Sequence, residues 1–191
     1  MPGLEMIQPA SEDEVAQAVA YCLTATEASC YLRLVSIPCR VPYRLPDAYR
    51  LERGRGVALT GGDDAVLFGY GPVMLAQAYD AAALLREHHG FGLRVVNLPW
   101  LNLVDDGWLA AETRGMLNVF TLDDHYVQGG QGEMVAAHLA EIGFPGAARV
   151  TRFGVRSIPA CGQNDEVLRA HRLDAESLAA DIVAAVRRQA D

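Results

Sequence analysis

The stretch AVLFGYGPVMLAQAYDAAALLREHH, residues 65–89, contains the unit from which the fold of this chain can be worked out. A short apolar run is followed by glycine, proline and then apolar residues at helical spacing. Proline is tolerated in the first turn of a helix, where the missing backbone N–H would have no helical partner. The pattern predicts a buried strand over 65–71, a helix over 73–88 that begins after Pro72, and a helix end at Gly90.

The same alternation of strand and helix continues to the end of the chain. Predicted strands occupy 93–98, 116–122 and 148–155, and predicted helices occupy 104–112, 133–142 and 166–171, with a last helix after the capping residue Asp174. Strands that alternate with helices of this length form parallel β-α-β units. The predicted fold class is α/β: a three-layer, open, mostly parallel sheet with helices on both faces.

The N-terminal region predicts a second, smaller piece of structure. Ser11 can accept a hydrogen bond from a helical N–H while Glu14 reaches back, which is the capping-box pattern. Apolar residues then recur at helical spacing and define the face that we expect to pack, namely Val15, Ala18, Val19, Cys22 and Leu23. A β-rich run over 30–35 follows. A helix and a strand cannot close a sheet, so this helix-strand remnant of a second domain is predicted to need a partner for its free edge and apolar face.

Three prolines, Pro38, Pro42 and Pro46, separate this remnant from the rest of the chain. Proline interrupts helices and central strands, so the segment that contains them is predicted to be a linker. We divide the chain into a partial domain with its linker, residues 1–45, and a complete α/β domain, residues 46–191.

Composition limits the classes of partner. The 191 residues carry a formal net charge of -8 that is spread along the chain, whereas binding to nucleic-acid phosphates needs concentrated Lys and Arg. Although 51% of the residues are hydrophobic, no apolar run approaches the roughly 20 residues of a membrane span. We therefore expect small molecules or proteins as partners, with no nucleic acid and no membrane.

The four cysteines, Cys22, Cys30, Cys39 and Cys161, include no C-x-x-C pair and have no histidines at zinc-finger spacing. A chain of this size needs no cross-link, so we interpret the protein as reduced and expect no metal site. The N-terminus has no basic segment followed by an apolar one, so no signal peptide is visible, and a cytoplasmic location is expected.

Two places where a predicted strand turns through glycine into a helix are candidate anion sites, one with Gly69 and Gly71 and the other with Gly129, Gly130 and Gly132. Free N–H groups and the helix dipole attract an anion at such a turn. Neither place has the dinucleotide fingerprint or the Walker pattern. The alternative interpretation is architectural: glycine supplies a positive φ and lets helix and strand approach closely.

Acid-base chemistry is suggested by Asp123, Asp124 and His125, which lie at the carboxyl end of a predicted parallel strand, where ligands bind in open α/β sheets. A histidine beside a carboxylate can act as a base. Adjacent residues of an extended segment point to opposite faces, however, so these side chains need not touch. His125 is thus either a structural or interface residue or, with Asp124, part of an independent hydrolase or isomerase.

The remaining histidines predict no catalytic site. His88 and His89 fall in the last turn of a predicted helix, where they complement the helix dipole. His138 and His171 are isolated on predicted helices and are expected to be solvated. No G-x-S-x-G elbow occurs, and no cysteine has an evident histidine partner, so we assign no catalytic residue within this chain.

Several stretches, in this order, resemble the C-terminal portion of transketolase and its thiamine diphosphate relatives, including deoxyxylulose-phosphate synthase and the β subunits of 2-oxoacid dehydrogenases. The end of the family's pyrimidine-binding domain resembles GLEMIQPASEDEVAQAVAYCL and CYLRLVSIP. The first two β-α units of the family's C-terminal domain resemble GGDDAVLFGYGPVMLAQAYDAAALL and LRVVNLPWLNLVDD. A later strand, glycine run and helix of that domain resemble VFTLDDHYVQGGQGEMVAAHLAE. The likeness covers nearly the whole chain, and it implies that the glycines are mostly architectural.

The resemblance implies that the complete enzyme binds thiamine diphosphate and Mg²⁺ between domains of two subunits. In the family, one domain holds the diphosphate through Mg²⁺ with a G-D-G motif, and the other supplies a glutamate to the aminopyrimidine. No G-D-G occurs in this sequence, and the resemblance places the glutamate before residue 1. We therefore expect no cofactor to bind this chain alone. The expected partners are N-terminal thiamine diphosphate-binding subunits or domains, in a homo- or hetero-oligomer.

One departure from the family concerns the substrate. Aligned on the pattern Y-I-R-L-G-R, Arg33 matches the first arginine, whereas Ser36 stands where the family has the arginine that contacts the sugar phosphate. The resemblance thus implies a phosphate contact that is missing here or replaced by Arg40. Arg33, Ser36 and Arg40 are therefore the candidate substrate-binding residues.

The function implied by the resemblance is that of a C-terminal subunit or fragment of a transketolase-like enzyme, which transfers two-carbon ketol units. Its role would be assembly or dimerisation, without a complete catalytic site of its own. The alternatives are the C-terminal part of a 2-oxoacid dehydrogenase β subunit or of a deoxyxylulose-phosphate synthase-like enzyme, and an anion-binding regulatory α/β module.

Overall fold

The computed structural model describes residues 2–144 and 148–190, without the side chains of residues 189 and 190. The strands are β1 (Leu4–Ile7), β2 (Ser29–Leu32), β3 (Val57–Ala58), β4 (Ala65–Gly69), β5 (Leu93–Asn97), β6 (Asn118–Tyr126) and β7 (Arg149–Val155). The helices are α1 (Glu12–Thr24), α2 (Pro72–His89), α3 (Asp106–Glu112), α4 (Gln131–Glu141), α5 (Asn164–Ala170) and α6 (Ala175–Ala190). None of these helices is long and apolar enough to cross a bilayer.

The main sheet has five strands in the order β3-β5-β4-β6-β7. The pairs among β4, β5, β6 and β7 are parallel, and β3 runs antiparallel to β5 at the edge. At its centre, Leu67 lies between Val95 of β5 and Phe120 of β6. The predicted α/β class with a mostly parallel sheet is confirmed.

Helices cover both faces of this sheet because alternate residues of each strand point to opposite sides. Leu67 of β4 belongs to a buried cluster with residues of α2 and α6, such as Leu75 and Ile182. Its neighbour Phe68 belongs to a second cluster, which includes Leu139 of α4 and residues of α1 and α3. The result is the expected three-layer arrangement, in which β4 is buried along its whole length.

The N-terminal piece forms a separate two-stranded parallel sheet of β1 and β2. The free side of β1 is joined to the loop after β5: the Gln8 N–H donates to Pro99 O at 2.9 Å, and the Leu101 N–H donates to Met6 O at 2.8 Å. Ile7 also forms an isolated antiparallel bridge with Trp100. The small sheet is therefore attached to the carboxyl edge of the main sheet, where ligands bind in folds of this class.

Several element boundaries differ from the prediction. The extended run predicted over 30–35 is the shorter strand β2, because the chain leaves the sheet after Leu32. The two-residue edge strand β3 was not predicted, since so short a strand has no periodicity to detect. The strand predicted to end at residue 122 continues to Tyr126, so Asp123 and its neighbours lie within β6 and not after it.

The packed face of α1 was predicted correctly only in part, because Ala18 is buried and Cys22 packs against the second cluster, but two other predicted residues are exposed. Val19 is 40% exposed and Leu23 is 78% exposed, whereas Glu14 and Ala18 are fully buried. The Ser11 hydroxyl accepts from the Glu14 N–H at 3.2 Å, as predicted, but the Glu14 carboxylate accepts from the Ala10 N–H at 2.6 Å and not from that of Ser11. The Glu14 carboxylate is therefore at the centre of the buried side of α1, and part of the apolar side of this helix is exposed.

Residues 33–56 contain no helix or strand, as the three prolines predict. This segment is nevertheless held against α1: the Tyr43 hydroxyl donates to Ala10 O at 3.0 Å, and the Leu51 N–H donates to the Gln17 side chain at 2.8 Å. The division of the chain at residues 45 and 46 stays a prediction.

Candidate functional site

A cavity of about 370 Å³ lies at the carboxyl edge of the main sheet, between the small β1–β2 sheet and the start of α4. Its lining includes Arg33, Tyr70, His125, Gly129, Gly130 and Gln131. Four of these six residues were candidates from the sequence: Arg33, His125, Gly129 and Gly130. The other two, Tyr70 and Gln131, were missed because their roles depend on contacts with residues far away in the sequence.

Asp123 caps the N-terminus of α4 from within β6. Its side chain is fully buried, and its carboxylate accepts from the Gln131 N–H at 2.7 Å and from the Gly132 N–H at 3.0 Å. The Tyr70 hydroxyl donates to the same carboxylate at 3.1 Å. Burial raises the pKa of Asp123, although these three hydrogen bonds favour its ionised form. The Asp123 carboxylate thus takes the position at the N-terminus of α4 that a bound anion would otherwise occupy.

Two glycines of this turn, Gly130 and Gly132, are crowded by Asp123 and its neighbours, and the third, Gly129, has a positive φ. A β-carbon on Gly130 would lie 2.7 Å from Asp123 Oδ1, and one on Gly132 would lie 2.2 Å from Thr121 Oγ1. Gly129 has a φ of 70°, which other residues rarely adopt, and its N–H donates to Glu133 at 2.7 Å. The geometry favours the architectural interpretation of all three glycines, and anion binding at this turn stays a prediction.

The other glycine turn, between β4 and α2, is also packed against protein. Gly71 has a φ of 68°, and a β-carbon there would lie 2.3 Å from the Gln8 amide nitrogen. Gly69 lies in β4, where a β-carbon would make only ordinary contacts of 3.4 Å or more. Pro72 occupies the start of α2, as predicted. This turn therefore lets Gln8 approach the sheet closely, and its anion binding likewise stays a prediction.

Arg33 joins the two sheets. Its guanidinium donates to the Gln8 side chain at 2.6 Å and lies 3.3 Å from Asp124 Oδ2. The backbone N–H of Asp124 in turn donates to the Tyr70 hydroxyl at 3.1 Å. Gln8 is buried, whereas the side chain of Arg33 is 34% exposed. A continuous polar network therefore runs from β1 and β2 to the end of β6.

The structure does not join the side chains of Asp123, Asp124 and His125 by hydrogen bonds, and each contacts a different partner. His125 is exposed, and its Nδ1 lies 3.0 Å from the carbonyl oxygen of Tyr126. Asp123 faces the helix N-terminus and Asp124 faces Arg33. The two carboxylates have different partners because adjacent residues of a strand point to opposite faces of the sheet.

Ser36 and Arg40, the other two substrate candidates, lie away from this cavity in the extended segment after β2. Ser36 is exposed, and the guanidinium of Arg40 forms an ion pair with Asp80 on α2. The structure thus brings Arg33 into the cavity but groups neither Ser36 nor Arg40 with it.

Two histidines that were expected to be isolated and solvated are partly exposed, but each has a hydrogen-bond partner, so they are not isolated. The Nδ1 atom of His138 on α4 lies 2.7 Å from Asp106 at the start of α3. The Nε2 atom of His171 accepts from the Ala160 N–H at 3.0 Å. Both partners are distant in sequence and could not be read from the helical pattern. His88 and His89 lie in the last turn of α2, which ends at Gly90 in the left-handed conformation, as predicted.

A second buried carboxylate, Glu14, joins α1 to the linker and to the main sheet. It accepts from the Tyr49 hydroxyl at 2.6 Å and from the Asn97 side-chain amide at 2.9 and 3.1 Å. All of its partners are uncharged, and burial raises its pKa above the ordinary value of 4.5. Residues with no detectable pattern in the sequence, Tyr49 and Asn97, thus hold the N-terminal piece in place.

We predict that Glu14 makes stability depend on pH in the direction opposite to that of a carboxylate whose pKa is lowered in the folded state. Because its folded-state pKa is raised, its contribution is fully present below pH 4.5 and is lost as pH rises through the folded-state pKa. Each unit of pKa elevation corresponds to about 1.4 kcal/mol. In thermal unfolding at a series of pH values, the stability of the unmodified chain should fall relative to that of Glu14→Gln as pH rises. The exposed neighbour Glu12→Gln is the control, and a constant difference between Glu14→Gln and the unmodified chain would contradict the prediction.

The described residues do not fit a thiamine diphosphate site. They contain no group of three or more His, Cys, Asp or Glu side chains that could hold a metal ion. At the glycine-rich turn, the helix N–H groups are engaged by Asp123 and the Gly129 N–H is engaged by Glu133. No catalytic step through the cofactor can therefore be assigned to residues of this chain.

The chain is similar to the C-terminal part of transketolases and of a related synthase. Residues 54–178 match the family described as the transketolase C-terminal domain. Rat transketolase is 29% identical over 170 residues, which are 87% of this chain and 26% of the transketolase. The 1-deoxy-D-xylulose-5-phosphate synthase of Syntrophotalea carbinolica is 31% identical over 189 residues, which are 95% of this chain and 28% of the synthase. The chain therefore spans about a quarter of the length of these relatives.

Among solved structures, the chain is similar to a split-gene transketolase described as an inactive β4 tetramer. The two are 28% identical with a TM-score of 0.85, and the match covers 98% of this chain and 59% of that one. Because the match covers 98% of this chain, it includes the N-terminal piece as well as the main sheet.

Proposed function

Because the chain belongs to the transketolase C-terminal domain family, whose complete enzymes depend on thiamine diphosphate, we propose that it is the C-terminal subunit or segment of a transketolase-like enzyme. The enzyme would transfer two-carbon ketol units, and the cofactor would supply the carbanion chemistry. This chain would contribute to assembly and would not be catalytically complete alone. The observation that carries the proposal is the two-stranded β1–β2 sheet, which lies beside a five-stranded sheet whose residues match the transketolase C-terminal domain family.

Helix α1, strand β2 and the segment that follows β2 carry exposed apolar residues of the kind that proteins bury in an interface. Six large apolar residues between positions 19 and 41 are exposed by 40% or more; we call them the docking surface: Val19, Leu23, Tyr31, Leu34, Ile37 and Val41. Exposed apolar patches of this kind mark interaction sites. The neighbouring strand β2 pairs with β1 alone among the described strands, so its outer edge is open to a further strand.

We propose that the partner is the thiamine diphosphate-binding part of the enzyme, as separate N-terminal subunits or as domains of the same enzyme. The similar split-gene transketolase supports an assembly from more than one kind of chain. Docking would cover the apolar residues, complete the small sheet and bring the cofactor to the carboxyl edge of the fold. We propose a cytoplasmic location for this assembly.

The segment after β2 contains Ser36 and Arg40, two of the three candidate substrate-binding residues. Arg40 is held by Asp80 and Ser36 carries no charge, so neither replaces the family arginine as a free cation for a sugar phosphate. We propose that any phosphate contact comes from the partner. The 31% identity to 1-deoxy-D-xylulose-5-phosphate synthase favours, as a second candidate, a deoxyxylulose-phosphate synthase-like enzyme.

Leu23→Glu tests the docking surface. Leu23 is 78% exposed, so the change should leave the melting temperature of the isolated chain nearly unaltered. If the partner buries Leu23, association should weaken by about tenfold to a hundredfold, because burying a leucine contributes about 1.5–3 kcal/mol. The measurement is two-carbon transfer by the chain mixed with an N-terminal transketolase chain that carries the G-D-G motif.

The matched control is Leu117→Glu. Leu117 is 54% exposed and immediately precedes β6. It lies at the amino end of this strand, whereas the small β1–β2 sheet is attached at the carboxyl ends of the parallel strands. Its replacement should not weaken association. Equal loss of activity in both variants would argue against docking through α1 and β2.

A further inference from the structure

Two of the four cysteines lie on facing elements of the N-terminal piece. Cys22 is in the last turn of α1, and Cys30 is the second residue of β2. Burial alternates along β2, so Cys30 and Leu32 point to the same, partly buried side of this strand. Leu32 and Cys22 both pack against the second buried cluster, which places Cys22 on that side as well. The two thiols are therefore neighbours at the contact between α1 and β2.

The Cys22 and Cys30 thiols also interact with each other. Burial raises the pKa of the Cys22 thiol to about 11, and Cys30 adds to the shift as a hydrogen-bond and charge partner. The Cys30 thiol in addition donates to Ala28 O, which precedes β2, at 3.8 Å. Both cysteines are free and neither is fully buried, so a small reagent can reach the pair.

We propose that Cys22 and Cys30 are a modification site, which a small disulfide oxidises to an intramolecular disulfide, and that this oxidation weakens partner binding at the docking surface. In the first step, the thiolate of one cysteine attacks a sulfur of the small disulfide, forms a mixed disulfide and releases one small thiol. In the second step, the thiolate of the other cysteine attacks the mixed disulfide and releases the second small thiol. The chain loses two protons and two electrons, and the small disulfide gains them as two thiols.

The effect on binding rests on the docking proposed above. Leu23 follows Cys22 on α1, Tyr31 follows Cys30 on β2, and both belong to the docking surface. A disulfide bond of about 2.05 Å is shorter than a contact between two thiols, so its formation draws the end of α1 towards β2. The spacing of the two exposed side chains changes as a result, and a partner that fits the reduced surface loses contact with them.

Treatment of the isolated chain with oxidised glutathione, followed by digestion and mass spectrometry, tests the modification site. One cross-linked peptide pair should contain Cys22 and Cys30 and should have lost the mass of two hydrogens. The exposed residues Cys39 and Cys161 are internal controls, and each should carry glutathione or remain free. Glutathione retained on Cys22 or Cys30 without a cross-link, or a disulfide between other cysteines, would overturn the proposal.

The binding experiment uses the variant Cys39→Ser with Cys161→Ser, in which the Cys22–Cys30 pair is retained. Its oxidised form should bind the N-terminal transketolase chain at least about tenfold more weakly than its reduced form, and dithiothreitol should restore the affinity. The variant with all four cysteines replaced by serine is the matched control, and its affinity should not respond to either reagent. Equal affinity of the two forms would overturn the effect on binding. If the reduced form also fails to bind, the proposed docking is wrong, whereas the peptide map still decides the modification site.

Discussion

Replacing Gly132 by alanine should lower the free energy of unfolding by about 2–3 kcal/mol, although alanine normally stabilises a helix relative to glycine. The new β-carbon would lie 2.2 Å from Thr121 Oγ1 and 2.9 Å from Asp123 Oδ2. Both side chains are fully buried, and a β-branched threonine has little rotational freedom to move away. Chemical denaturation of the variant and the unmodified chain measures the difference.

Gly107→Ala is the matched control for this change. Gly107 is the second residue of α3, as Gly132 is the second residue of α4. A β-carbon at Gly107 would meet nothing closer than Asp105 Oδ1 at 3.5 Å, so alanine should stabilise the chain by up to about 1 kcal/mol. A similar small effect at both positions would show that α4 and β6 are less closely packed than the structure requires.

Asp123→Ala should be the most damaging single substitution in the site, with a loss of about 3–5 kcal/mol, because three buried donors lose their acceptor at a cost of roughly 1–3 kcal/mol each. It would leave two helix N–H groups and the Tyr70 hydroxyl without their acceptor in a fully buried position. Buried donors without partners carry the full cost of desolvation. Denaturation curves measure the loss, and hydrogen exchange of the Gln131 and Gly132 amides shows whether the start of α4 has opened.

The adjacent residue provides the control. Asp124→Ala removes a partly exposed ion pair with Arg33, and such pairs contribute about 0–1 kcal/mol. Its effect on stability should therefore be small. If Asp123→Ala were equally mild, the α4 cap would not be a structural requirement, and the glycine turn would become available to bind an external anion.

The main sheet could be predicted from the sequence because its signals are local. The run from Ala65 to Gly69, the proline at the start of α2 and Gly90 at its end each determine the conformation of the residues beside them. Parallel pairing then follows from the alternation of strands and helices. The resemblance to a family added the identity of the N-terminal piece, which periodicity alone left as an isolated helix and strand.

The site could not be predicted in the same way, because its contacts join distant parts of the chain. Gln8 and Arg33 are 25 residues apart, and Asn97 donates to Glu14 across 83 residues. Part of the packed face of α1 was misjudged for the same reason: Val19 and Leu23 are exposed, while the Glu14 carboxylate occupies the buried side. Helical spacing shows which residues share a face, but not what that face contacts.

Calorimetric titration with thiamine diphosphate and Mg²⁺ tests most directly whether this chain is one part of a larger catalytic unit. The chain alone should show no saturable binding, because its described residues offer neither a metal cluster nor free donors at the glycine turn. A mixture with the N-terminal partner that carries the G-D-G motif should bind the cofactor and acquire two-carbon transfer activity. Tight cofactor binding or substrate turnover by the isolated chain would contradict the account.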